Sequence, residues 1–142
     1  MCADIATRII NGAYALDKMP PSLLGKATNL VLKARAEYDA ALSKYDVLIT
    51  PSMPWLPQSL PKLDGSALDK LKKTAGLSLN SNPFNATGHP AMSVPVGFLP
   101  SLEDDKLMLP AGMQIISKWF GEEKILRAGH AWETAFDWKT FA

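Results

Sequence analysis

The chain has 142 residues, of which 47% are hydrophobic and 20% charged, a composition typical of one globular domain rather than of a disordered chain. Its net charge of +1, from 15 basic and 14 acidic residues, argues against a nucleic-acid surface, which needs a basic stripe. No stretch reaches the roughly 18 apolar residues of a membrane span, and the single cysteine, Cys2, fits a reducing compartment, so we expect a cytoplasmic protein with neither a nucleic-acid nor a membrane partner.

The first half of the chain predicts two helices and one strand. Residues 5–16 favour a short helix, which a proline pair ends because proline cannot continue a helix. Residues 22–44 predict the best helix, with Ser22 as its N-cap and apolar residues at three- and four-residue spacing. The apolar run 47–49, closed by a proline, is typical of a buried strand that is covered on both faces.

The second half of the chain alternates short helices with strands. Four elements are predicted there: helix 66–77, strand 91–98, strand 112–118 and helix 122–136. Pro95 indicates an edge position or a bulge for the first of these strands. Gly121 is expected to cap the last helix, whose first turn holds Glu122 and Glu123 at the positive end of the helix dipole. The stretch between 77 and 90, rich in Asn, Pro and Gly, is predicted to be irregular.

Strands that alternate with helices indicate an α/β layer architecture for residues 1–142. We expect residues 46–50 and 112–117 to be buried neighbouring strands of one sheet. The helices 22–44 and 122–136 are expected to cover its faces. A sheet of three strands is too small to bury the four tryptophans of the chain. We therefore infer that this segment completes a larger sheet.

Four segments, taken in order, resemble motifs of the amidase-signature family. They are residues 45–54 (YDVLITPSMP), 80–97 (NSNPFNATGHPAMSVPVG), 109–116 (LPAGMQII) and 119–133, the closing helix with its preceding Trp-Phe pair. Together they cover nearly all of the chain after about residue 5. The resemblance implies that the chain supplies the C-terminal strands and helices of a large mixed sheet flanked by helices.

The resemblance also implies the chemistry of an amide hydrolase. Family members cleave carboxylic amides with a serine nucleophile, which is activated through a second serine held by a cis peptide and through a buried lysine. A Gly/Ser-rich loop supplies the oxyanion hole, but the nine glycines of this chain form no cluster. We therefore expect no catalytic residue here. No cofactor is expected either. The expected partners are the N-terminal catalytic part of the same enzyme and a small amide substrate, and the isolated chain is expected to be inactive.

Five residues are candidates for substrate binding: Asn85, Thr87, His89, Met53 and Trp55. In the family, the loop that corresponds to 80–89 approaches the substrate cleft, and here it offers an amide and a hydroxyl. The alternative is that its asparagines make Asx turns that brace an irregular backbone. Met53 and Trp55 are expected, by the same family logic, to line the acyl-group pocket. The alternative for them is packing of exposed loop side chains on a neighbour.

A nucleophile–base pair within the chain is not expected. In an extended segment His89 and Ser93 would have Cα atoms about 13 Å apart at ~3.3 Å per residue, beyond the hydrogen-bond reach of about 3 Å. His89 is more simply a loop hydrogen-bonder. His130 is expected to be solvated, and two histidines 41 positions apart with one terminal cysteine do not make a zinc site. No metal site is therefore predicted.

Two other functions stay open. One is the A subunit of a tRNA-dependent amidotransferase, although residues 88–90 and 118–120 look more like those of stand-alone amidases. The other is a non-catalytic binding or interaction domain that kept the fold and lost the chemistry. We expect the isolated chain to self-associate as a fragment, because a cut sheet leaves an edge with unpaired backbone groups.

Overall fold

The computed structural model describes residues 3–141, and Cys2 lies outside them. In chain order the described elements are α1 (Ala3–Lys18), α2 (Ser22–Leu42), β1 (Leu48–Pro51), α3 (Ala67–Thr74), α4 (Asn82–Thr87), β2 (Ala91–Pro100), β3 (Met108–Ile116), α5 (Glu122–Ala135) and a 3-10 turn, Trp138–Thr140. Helices and a sheet are thus combined in one chain, and the α/β class is confirmed. Within the described range, every helix is too short or too polar to cross a membrane.

The sheet is antiparallel and has the strand order β1-β3-β2. Ile116 of the central strand lies opposite Leu48 on one side and opposite Ala91 on the other. The predicted neighbour relation between β1 and β3 is confirmed. The predicted full burial of β1 is wrong, since Ile49 is 60% exposed. The physical reason is that β1 is an edge strand with only one flanking strand, and α5 packs mainly on β2 and β3, so Ile49 at the edge of the core face stays exposed.

The second edge strand, β2, contains the irregularity that proline predicts. Its register with β3 shifts between Pro95 and Gly97, in agreement with the expected edge position or bulge. Gly97 has a φ of +133°, and a Cβ there would lie 2.8 Å from Cβ of Phe141. The N–H of Phe98 donates to the carbonyl of Phe141 over 2.9 Å, so the chain's last described residue is held against the bulge.

The core lies on the face of the sheet that α5 covers. Its buried centre is Val94, Ile115 and Ile125. Partly buried side chains around it are Val47, Met92, Met113, Ala128 and Trp132. Gly121 stands at the N-cap of α5 with two glutamates in the first turn, as predicted. The expected packing of α2 on the sheet is replaced by packing of α2 against α4.

Two local predictions, the N-cap of α2 and the irregular stretch between 77 and 90, are wrong because of the backbone geometry of proline and glycine. Ser22 begins α2 instead of capping it, because Pro21 already has helical angles (φ −55°, ψ −26°) and makes no side-chain cap bond. The stretch predicted to be irregular contains α4, a helix of six residues. Pro83 fits its first turn, where a missing N–H is harmless, and Gly88 ends it in the left-handed region with φ +78°.

Candidate functional site

The face of the sheet opposite the core is polar at its centre. Thr50, Gln114 and Ser93 form one cross-strand row, since Gln114 lies opposite both of the others. Alternation along the strand turns Ser93 away from the core that Val94 joins. Ser52 follows β1 directly, and its hydroxyl is hydrogen-bonded to the hydroxyl of Ser93.

This hydroxyl pair, Ser52–Ser93, lies in a cleft of about 650 Å³. The cleft is lined by loop 51–57, by the strand segments 93–95 and 110–112, and by Leu99 and Leu102. Prolines and large apolar side chains make up most of these walls, and none of the lining residues carries a charge. The cleft therefore combines apolar walls with two adjacent hydroxyls.

Gly112 lets the two serines meet. A Cβ at position 112 would lie 2.9 Å from Oγ of Ser52 and 3.2 Å from Oγ of Ser93, closer than ordinary contact. The N–H of Ser52 donates to the carbonyl of Gly112 over 2.8 Å, which holds the start of loop 51–57 against β3. Two features therefore position the hydroxyl pair. One is the backbone hydrogen bond between Ser52 and Gly112, and the other is the lack of a side chain on Gly112, which lies between the two serines.

Met53 and Trp55 both line the cleft, at the side formed by loop 51–57. Met53 is 37% exposed and Trp55 is half-buried. A Cβ on Gly76, which has a φ of +82°, would overlap the ring of Trp55, so the indole packs on bare backbone. The indole N–H is buried and has no acceptor among the described residues, which costs free energy in a folded chain.

The other three predicted residues lie at α4, away from the lining of this cleft. Asn85 is exposed, whereas Thr87 and His89 are buried, at 1% and 4% exposure. Thr87 Oγ1 and His89 Nδ1 are 2.8 Å apart, and His89 Nε2 lies 3.2 Å from Oδ1 of Asp39 on α2. The structure therefore brings Met53 together with Trp55 and Thr87 together with His89, but keeps the two groups apart.

The C-terminal end of α4 is anchored through the carbonyl of Thr87. It accepts hydrogen bonds from Arg35 Nε at 2.9 Å and from Trp119 Nε1 at 3.3 Å. The guanidinium carbon of Arg35 lies 4.2 Å from the centre of the Trp119 ring, within cation–π range. Gly88 leaves room for that ring, because a Cβ there would lie 3.1 Å from Trp119 Cζ2.

Loop 51–57 is also tied to the segment before α4. Asn80 Nδ2 donates to the carbonyl of Pro51 over 3.0 Å, and Gln114 Nε2 donates to the carbonyl of Asn80 over 3.4 Å. These bonds connect one end of the cleft to the chain that leads into α4.

Carboxyl groups with a perturbed pKa lie outside the cleft. The hydrogen bond from Lys124 lowers the pKa of Asp46, and that from Lys73 lowers the pKa of Glu103. The hydroxyl of Ser66 lowers the pKa of Asp69 at the start of α3. Within residues 3–141, no three His, Cys, Asp or Glu side chains lie close enough together to share a metal ion.

The hydroxyl pair is not predicted by the sequence. From the sequence, Ser93 stands out only as a partner for His89, but the structure gives the two side chains different partners, Ser52 and Asp39. The available signal was alternation, which puts Ser93 on the face opposite the core-forming Val94. The pairing with Ser52, 41 positions earlier, depends on the register of two edge strands with β3, which composition and spacing do not specify.

Known proteins resemble this chain over most of its length. An uncharacterized protein from the nthA 5' region of Rhodococcus erythropolis is 36% identical over 124 residues, covering 87% of this chain and 59% of that protein. The enantioselective amidase of Rhodococcus rhodochrous is 32% identical over 126 residues, covering 89% of this chain and 23% of that protein. The chain thus spans about three-fifths of the first relative and about a quarter of the second.

A solved structure has a similar fold, and a family sequence profile matches the chain. The crystal structure of the A subunit of glutamyl-tRNA(Gln) amidotransferase from Thermotoga maritima superposes with a TM-score of 0.57 at 28% identity, covering 87% of this chain and 25% of that one. The sequence profile of the family described as Amidase matches residues 2–126, the greater part of the chain. The four motifs, the fold and the profile agree, and the chain belongs to the amidase family.

Proposed function

We propose that this chain is the C-terminal part of an amidohydrolase that cleaves carboxylic amides by the serine, cis-serine and lysine mechanism of its family. The catalytic residues would lie in the catalytic part of the same enzyme, outside this chain. The observation that carries the proposal is the apolar cleft on the face of the sheet opposite the core, in a chain that matches amidases over most of its length. We place its action in the cytoplasm, on a small amide substrate and without a nucleic-acid partner.

In this proposal Met53 and Trp55 form one wall of the acyl-group pocket. Both side chains line the cleft, and an apolar wall without charges suits an uncharged acyl group. Asn85 is exposed on α4, outside the lining of this cleft, and is proposed to lie on the rim of the larger substrate cleft of the intact enzyme. Thr87 and His89 are buried and are proposed to position that rim through their bonds to each other and to Asp39.

A chimera tests the proposal. This chain replaces the matching segment of the Rhodococcus rhodochrous enantioselective amidase, and kcat/KM is measured for amides with small and large acyl groups. Met53→Ala and Trp55→Ala are expected to change kcat/KM for large acyl groups by about tenfold, with little change for acetamide, since lost pocket contacts act on the groups that fill the pocket.

Leu63→Ala is the matched control for Met53→Ala, because Leu63 is 97% exposed and lies outside the cleft lining. It should leave both classes of substrate unchanged. If the folded chimera keeps the same acyl preference after Met53→Ala and Trp55→Ala, the cleft is not part of the substrate pocket. Amide turnover by the purified isolated chain would contradict the placement of the catalytic residues.

A second candidate is the A subunit of a tRNA-dependent amidotransferase. The likeness to the solved Thermotoga maritima protein favours it, whereas the net charge of +1 does not favour a tRNA surface. The discriminating measurement is made on the longest natural product of the gene that contains this segment. Hydrolysis of small free amides supports the first candidate, and activity only with a charged tRNA and its partner subunits supports the second.

A further inference from the structure

The hydroxyl pair and the uncharged walls of the cleft together restrict what can bind there. Ser52 and Ser93 provide two O–H donors between them, and one of these is used in the bond that joins the two hydroxyls. One donor and several lone pairs therefore remain for another group. Ser93 is exposed and Ser52 half-exposed on the cleft side, so a ligand has access to these atoms.

We propose that the Ser52–Ser93 pair recognises a hydroxyl or carbonyl substituent on a neutral, mainly apolar acyl group bound in this cleft. The assignment to an acyl group rests on the proposed amidohydrolase function, but the recognition of a neutral apolar group with one polar substituent does not. The predicted substrate class is amides of uncharged hydroxy- or oxo-substituted apolar acids.

Charge supports a neutral occupant. No lysine, arginine, aspartate or glutamate lines the cleft. A carboxylate or ammonium group entering it would lose water without gaining an opposite charge, which is strongly unfavourable. A neutral hydroxyl or carbonyl loses less solvation and regains a hydrogen bond from the serine pair.

Shape supports the same conclusion. Walls of proline, leucine and tryptophan offer contact area to an aromatic or aliphatic body, and about 650 Å³ accommodates a group of that size. The polar atoms of the serine pair are concentrated at one place, above Gly112. An occupant is therefore expected to carry its polar substituent at one end.

Binding to the isolated chain tests this without catalysis. The probes are three para-methyl benzene derivatives with matched rings: p-cresol, which carries a neutral hydroxyl, toluene, which lacks it, and p-toluate, which is anionic. Binding is followed by the indole N–H resonance of Trp55, assigned by its loss in Trp55→Phe. We expect p-cresol to bind about fivefold more tightly than toluene, the range of one net hydrogen bond, and p-toluate to bind at least about tenfold more weakly than p-cresol.

The double variant Ser52→Ala, Ser93→Ala is expected to remove the advantage of p-cresol, because either hydroxyl left alone would keep one free donor. It should leave the affinity for toluene unchanged. Ser43→Ala is the matched control, because Ser43 donates to Ala40 at the end of α2, outside the cleft lining, and should change neither. Circular dichroism confirms that both variants fold.

Three results would each overturn the inference: no binding of p-cresol, equal affinities for p-cresol and toluene, or p-toluate binding as tight as that of p-cresol. An unchanged p-cresol affinity in the double variant Ser52→Ala, Ser93→Ala would overturn the role of the hydroxyl pair. If the binding results hold while the chimera shows no dependence of acyl preference on Met53 and Trp55, the site stands and the proposed function fails.

Discussion

Two glycines decide the local geometry of the two candidate regions. Gly88 allows the left-handed turn that ends α4 and leaves room for Trp119. Gly112 allows Ser52 and Ser93 to meet across β3. In both cases a single added methyl group would press on named neighbours: Trp119 at position 88, and Ser52 and Ser93 at position 112.

Gly88→Ala is expected to lower the free energy of unfolding by about 1–2 kcal/mol, because alanine is strained in the left-handed region and its Cβ would press on the Trp119 ring. Gly25→Ala, in the interior of α2 where nothing lies within 4 Å, is expected to raise it by about 0.5–1 kcal/mol. Urea denaturation measures both changes. A Gly88→Ala variant as stable as the original chain would show that the turn can relax.

Asn85 and Thr87 are expected to respond differently in a longer active enzyme that carries this segment. Asn85→Ala, at an exposed site, should change stability by less than about 0.5 kcal/mol but lower kcat/KM. Thr87→Val should lower stability by about 1–3 kcal/mol, because it leaves the buried His89 Nδ1 without its partner. Thermal unfolding and steady-state kinetics separate the two effects. Unchanged kinetics in Asn85→Ala would make it a purely structural residue.

At the scale of elements, two ion pairs join segments that are distant in the chain. The segment before β1 and helix α5 are joined by the pair Asp46–Lys124, and α3 is joined to the loop after β2 by Lys73–Glu103. Both carboxyl groups are solvent-exposed, so each pair contributes modestly and is screened by salt. Their main measurable consequence is a dependence of stability on pH.

The Asp46–Lys124 pair predicts a loss of stability in acid. The hydrogen bond from Lys124 lowers the pKa of Asp46 in the folded chain, so folding is favoured above the carboxyl's unfolded pKa of about 3.9. This contribution is lost as the pH falls through the lower folded pKa. Asp46→Asn should therefore flatten the decrease of the melting temperature between neutral and acid pH.

Lys124→Gln provides the control by a double-mutant cycle. In that background Asp46→Asn should add no further change in the pH dependence. An identical acid profile for the original chain and for Asp46→Asn would show that the pair does not contribute to folding stability.

At the scale of the whole molecule, the most prominent feature is the apolar surface left on α1 and α2. Ile9, Ile10, Leu24 and Leu30 are 58%, 65%, 71% and 59% exposed, and these helices pack away from the sheet. Apolar surface of this extent is unusual for a protein that functions as a monomer. In the proposed enzyme it would be covered by the catalytic part.

The isolated chain is therefore expected to self-associate at micromolar concentration. Each Å² of apolar surface covered contributes about 25 cal/mol before the costs of association, and the edges of β1 and β2 also offer unpaired backbone groups. Sedimentation velocity measures the outcome. The double variant Ile10→Lys, Leu24→Lys should shift the chain toward the monomer, whereas a clean monomer of the unmodified chain at these concentrations would contradict the prediction.

Short-range rules in the sequence determined most of the elements. Periodic apolar residues located α2 and α5, apolar runs located β1 and β3, and Pro95 located the irregularity of β2. These signals depend on neighbours within about four positions, which is the range over which a backbone's preference and its amphipathic face are defined. The four motifs also indicated that the chain belongs to the amidase family, because their order and spacing can be read directly from the sequence.

The tertiary structure alone decided which distant side chains meet. The exposure of β1 depends on its place at the edge of the sheet, and the burial of His89 depends on Asp39, 50 positions away. The Ser52–Ser93 pair depends on the register of two edge strands with β3. The sequence by itself therefore determined the elements and the family, whereas the cleft and its hydroxyl pair were decided by long-range packing, because contacts between strands and helices form only when the whole chain has closed on its core.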